Sequence, residues 1–79
     1  MTKRQYVYPI TFTGEEQELT VTILPTKTNL SAANGPEDYE RRVNIIIDEG
    51  VAFAKQLHGE DFQERLDVYA IGLGEGIPV

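Results

Sequence analysis

Residues 36–58 read PEDYERRVNIIIDEGVAFAKQLH. The stretch predicts one long amphipathic helix from Pro36 to His58. Asn34 and Gly35 supply a cap before a proline at the first helical position, where the missing N–H costs nothing. Glu37, Asp38 and Glu40 then set negative charge against the positive end of the helix dipole. Lys55 and His58 fall in the last turn, and Gly59 suits a left-handed C-cap. At roughly 1.5 Å per residue such a helix runs ~35 Å.

Tyr39, Val43, Ile46, Ile47, Gly50, Ala54 and Leu57 recur at three- and four-residue spacing and predict its buried face. Arg41, Asp48, Lys55 and Gln56 fall opposite. Ile45 sits on the polar side near Ala52. Gly50 lies on the buried face although glycine costs about 1 kcal/mol relative to alanine in a helix. Its presence predicts close packing of helix on sheet. The β-branched run from Val43 to Ile47 favours a strand locally, but a strand would have to absorb cap signals at both ends.

On the N-terminal side, Tyr6 to Thr13 alternates. Tyr6, Tyr8, Ile10 and Phe12 share one face; Val7, Pro9, Thr11 and Thr13 share the other. Pro9 cannot donate to a ladder, which predicts an edge strand or a bulge. After a short loop at Gly14 to Gln17, Glu18 to Leu24 alternates again, with Leu19, Val21 and Ile23 apolar. The two runs predict a hairpin with an apolar face and a solvated threonine face. Pro25 to Gly35 reads as a long loop.

On the C-terminal side, Glu60 to Arg65 reads as a polar turn anchored by Phe62. Leu66 to Leu73 reads as a third strand, apolar on both faces. Residues 74–79 read as a glycine-broken tail and residues 1–4 as a flexible N-terminus. The expectation is a single α+β domain over 1–79, ββαβ, with a three-stranded mixed sheet on one long helix. A right-handed crossover makes strand three parallel to strand two. Strand orders 1-2-3 and 2-1-3 both remain open.

Size and charge bound the function. A 79-residue chain without cysteine has a marginal core and no disulfide or thiolate metal site to support it. Lys3 and Arg4 hold two of the seven basic charges, so residues 5–79 carry five against thirteen acidic, a net of −8. That balance argues against direct binding to nucleic-acid phosphates and to anionic membranes. No signal peptide or membrane-spanning run is read, and a cytoplasmic location is the default expectation.

Chemistry is sparse. Ser31 and His58 fall at opposite ends of the helix, too far apart for a nucleophile–base pair. His58, Glu60, Asp61 and Asp67 carry a weak metal pattern, and the helix dipole already accounts for His58. Asp48-Glu49 and Glu60-Asp61 read as solvated carboxylates. Gly72, Gly74 and Gly76 have no helix after them to receive a pyrophosphate. No catalytic residue, metal or cofactor is expected.

The leading expectation is a non-enzymatic protein-binding module. Inhibitors and adaptors, phage-encoded ones acting on a host factor among them, often have this composition. An acidic surface that mimics nucleic acid is one physical route. Self-association as a homodimer or assembly subunit is a second reading. A small enzyme completed at a subunit boundary, through His58 or a tyrosine, is a third. The residues expected to meet a partner are Glu15, Glu16, Glu18, Ile45, Glu49, Tyr69, Ile71, Leu73 and Ile77.

Overall fold

The computed structural model describes residues 5–79. The expectation for residues 1–4 lies outside them. One long helix packs on a four-stranded antiparallel sheet within an envelope of 43 × 24 × 18 Å. Strands β1 (Tyr6–Thr13) and β2 (Glu18–Ile23) form the hairpin, closed by a Gly14 N–H bond to the Gln17 carbonyl of 2.8 Å. Helix α1 spans Pro36–His58, and α2 is a single turn, Phe62–Arg65. Strands β3 (Ala70–Leu73) and β4 (Ile77–Pro78) complete the sheet.

The sheet order is β2-β1-β3, with β4 also on β1. Of the two open orders, 2-1-3 is the one found. The expected three-stranded mixed sheet is corrected: every ladder is antiparallel and the tail supplies a fourth strand. β3 does run parallel to β2, but β1 lies between them.

Pro9 explains the arrangement. β1 is the central strand and not an edge. The Pro9 carbonyl accepts the Gly74 N–H at 2.8 Å, so the nitrogen of Pro9 also faces the β3–β4 side. Its missing donor therefore falls where β3 stops and β4 has not begun. The pairing register shifts by one residue across this gap, from Ile10↔Leu73 to Val7↔Ile77. Gly74 and Gly76 permit the crossing. A Cβ on either would stand 2.7 Å from Pro9 Cγ or Tyr8 Cε1.

The third strand is shorter than expected. Leu66 to Tyr69 stays irregular because Asp67 turns left-handed at φ 51°, and the Val68 N–H bonds back to the Gln63 carbonyl at 3.0 Å. The polar turn expected at Glu60 to Arg65 contains a helical turn instead.

The core lies between sheet and helix: Tyr8, Ile10, Phe12, Val21, Ile23, Ile46, Ala54 and Phe62. Phe12 and Phe62 meet edge to face at 5.0 Å between ring centroids. The close approach expected at Gly50 is present, since a Cβ there would overlap Ile10 Cδ1. The helix face is narrower than its periodicity implied. Ile46, Gly50 and Ala54 are buried and Val43 and Ile47 half-buried. Tyr39 and Leu57 remain 50% and 58% exposed. Phe62 fills the end of the core expected for Leu57.

Candidate partner-binding surface

The loop between β2 and α1 returns along the helix. Thr26, through its N–H and hydroxyl, and Lys27, through its N–H, donate to the Glu49 carboxylate at 2.7–3.4 Å. Burial raises the Glu49 pKa, but these donors outweigh it and hold the group below its ordinary value. Arg42 donates to the Thr28 hydroxyl at 2.9 Å and the Asn29 carbonyl at 3.1 Å. Ile45 lies between these two anchors on the helix surface and is half-buried. Glu49 and Ile45 thus belong to a loop-covered flank.

The start of α1 is capped at Gly35, as the Asn34-Gly35-Pro36 run predicts. Gly35, at φ 93°, is the N-cap and offers no side chain. Asp38 compensates: its carboxylate accepts the Asn34 N–H at 2.9 Å and bonds both Arg42 and Arg41. The Asn34 N–H, then the two guanidinium groups, hold this carboxyl well below the usual range. At the other end, Gly59 caps at φ 101° and Arg65 donates to the His58 carbonyl.

The hairpin turn meets the segment after α2. Gly14 lies so close to Leu66 that a Cβ would overlap the Leu66 carbonyl. Glu15 and Glu16 therefore share a shallow cleft with Arg65 and Asp67. Glu18, Glu60, Asp61 and Glu64, near the cleft residues along the chain, are exposed. Asp61 pairs with Arg65 at 3.1 Å and Glu60 with Lys55 at 3.9 Å. Among the described residues, Glu15, Glu16, Glu18, Glu64 and Asp67 make no ion pair. Two acidic runs distant in sequence thereby form one carboxylate-dense end.

The apolar candidates divide between faces. Ile71 pairs with Phe12 and Leu73 with Ile10, so both turn toward the helix. Ile71 is nevertheless 38% exposed, and Leu73 is half-buried. Tyr69 is 67% exposed. Ile77 pairs with Val7 on the opposite face, beside the threonines, and is 54% exposed. The outer face of β3 carries only Ala70 and Gly72, which corrects the expectation of a strand apolar on both sides.

Groups absent from the expectation include Gln63 and Val68, which line an open groove with Tyr69, Ala70 and Ile71. Gln5, Tyr6, Tyr8, Leu24 and Pro25 line a second cleft against the loop at Thr28 and Asn29. Ser31 donates to the side chain of Asn29, which caps a short turn, far along the helix from His58. Among the described residues, no group of three or more His, Asp or Glu could hold a metal ion. No helix of the described residues is long and apolar enough to cross a membrane. Comparison with protein-family models, curated proteins and solved structures gave no match.

Proposed function

We propose that the protein is a non-enzymatic binding module for another protein, acting as an inhibitor or adaptor through its acidic end. The observation that carries this reading is the meeting of Glu15 and Glu16 with Asp67 in one cleft, where Arg65 is already paired with Asp61. Packing of Gly14 against Leu66 concentrates unpaired carboxylates that repel one another. A basic partner would relieve that repulsion and associate faster through complementary charge. A groove that normally holds nucleic-acid phosphates has the required sign.

The test is capture of partners from the native host by the full chain, followed by titration of the captured protein across ionic strength. Affinity that falls steeply as salt rises supports the acidic end as the interface. Glu15→Gln with Glu16→Gln should weaken the complex without lowering the melting temperature. Binding that is indifferent to salt and to this pair of substitutions overturns the reading.

A further inference from the structure

We propose that the open edge of β3 accepts an extended segment of a partner protein as an additional antiparallel strand, one with apolar side chains at its centre and Lys or Arg at both ends. This inference rests on the protein-binding reading and names the mode and chemistry of the partner.

The three exposed edges of the sheet are not equivalent. The N–H groups of Gly74 and, by alternation, Gly72 face β1, so those of Ile71 and Leu73 face outward. Among the described residues neither has a partner beyond the strand. No charged side chain or proline guards Ala70–Leu73, although natural edges are usually guarded in one of those ways. On β4 the alternation turns the nitrogen of Pro78 outward, which closes that stretch to strand addition. On β2 the outward groups belong to Glu18, Thr20 and Thr22, but Val21 and Ile23 are already 4% and 8% exposed. A strand added there would cover no waiting apolar surface. Beside β3 it would cover Ile71 and the groove at Val68 and Tyr69.

Charge selects the occupant. Asp67 stands shortly before β3 and Glu75 just beyond its end; both are exposed and make no ion pair among the described residues. A second copy is disfavoured. In an antiparallel pair of copies centred on Ile71, which would join the outward groups of that residue, Glu75 of each would fall opposite Asp67 of the other. A segment with basic ends meets opposite charge at both ends and supplies main-chain bonds between them.

The probe is a synthetic peptide of roughly ten residues, two lysines at each end of an alternating valine–threonine core, long enough for one strand. Its counterpart carries glutamates in place of the lysines. On titration into the full chain, the amides of Ile71 and Leu73 should shift and gain exchange protection, while those of Thr20 and Thr22 stay unchanged. The glutamate peptide should bind about tenfold more weakly or not at all. Ile71→Pro removes an outward N–H and should abolish binding while Gly72 keeps the bonds to β1. Asp67→Asn with Glu75→Gln is the variant that keeps the edge intact, since asparagine tolerates the left-handed turn. It should bind the lysine peptide several-fold more weakly and with a flatter salt dependence. Protection at Thr20 and Thr22, equal binding of both peptides, or no binding of either overturns the proposal. So does protection of Ile71 and Leu73 without peptide in a protein that sediments as a dimer. If Ile71→Pro still captures the native partner with unchanged salt sensitivity, only the β3 inference fails and the acidic-end reading stands.

Discussion

On its β2 flank the chain returns over its own sheet; on its β3 flank, among the described residues, it does not. The Pro25 to Gly35 loop lies along the helix, tied at Thr26 to Glu49 and at Thr28 and Asn29 to Arg42. The β2 side chains Val21 and Ile23 beneath α1 are no more than 8% exposed. On the other flank β3 is four residues long, no loop follows it back, and Ile71 stays 38% exposed. A single helix is about 10 Å across, and strands lie about 4.8 Å apart. One helix therefore covers roughly two strands, and a wider sheet needs a second covering element. Among the described residues that element is present on one side only.

The sharpest way to break this comparison is to truncate one large side chain on each flank. Phe12→Ala, from the covered core, should cost about 3–5 kcal/mol, because the ring is fully buried against Phe62. That is much of the stability of so small a domain. Ile71→Ala removes a group still partly in water and should cost under about 1.5 kcal/mol. Denaturant unfolding of both variants decides it. Equal losses would mean that the β3 flank is covered in solution.

The loop anchors come next. Glu49→Gln replaces charge-assisted bonds with neutral ones, a change worth about 1 kcal/mol. Hydrogen exchange at the Thr26 and Lys27 amides should rise, while exchange at the Gly72 amide on the other flank should not. A uniform rise across the molecule would show that the loop is not an independent cover.

Two glycines sharpen the contrast through effects of opposite sign. Alanine is worth about 1 kcal/mol over glycine in a helix, but overpacking typically costs about 1–3 kcal/mol. Gly50→Ala would press on fully buried Ile10 and should destabilise by up to about 2 kcal/mol. At Gly72 nothing lies within 4 Å of the place a Cβ would take, and φ is not positive. Gly72→Ala should be neutral or stabilise by about 0.5 kcal/mol. Thermal melts of the two variants should move in opposite directions or differ clearly in size.

Local signals were legible in the sequence and long-range ones were not. Pro36 and Gly59 marked both ends of α1, because caps act within one turn. Alternation assigned Tyr8, Ile10, Phe12, Val21 and Ile23 inward. Pro9 showed that one backbone donor was missing but not which neighbour lacked it, so a central strand looked like an edge. Leu57 has the right helical phase and still lies in solvent, because phase gives direction and not how far the sheet extends below. Glu15, Glu16 and Glu18 were readable as exposed, but their meeting with Asp67 depends on Gly14 packing on Leu66. Ile45 looked homeless because the return of the loop is a tertiary event. Gly74 and Gly76 served equally for a loose tail or a close crossing, and Tyr8 and Pro9 decide for the crossing.

The smallest expected effect concerns pH and the start of α1. Asp38 accepts the Asn34 N–H and joins Arg41 and Arg42, and through Arg42 it supports the loop-covered flank. Its carboxyl is held below its ordinary value, near 4 for aspartate. A group with a depressed folded-state pKa stabilises fully above its unfolded pKa and loses that contribution as pH falls through the folded value. Asp38 therefore contributes at pH 7, and its contribution declines from about pH 5 downward. Glu49 is lowered too and acts in the same direction on the same flank. Asp38→Asn should lower the melting temperature at pH 7, and the gap to the parent should narrow steadily as the pH falls below about 5. β3 itself carries no titratable side chain, so exchange at Gly72 should follow only global unfolding. Amide exchange at Asn34 and Lys27 measured against pH separates the two flanks. A gap that persists unchanged at low pH would show that Asp38 acts through packing and not through its charge.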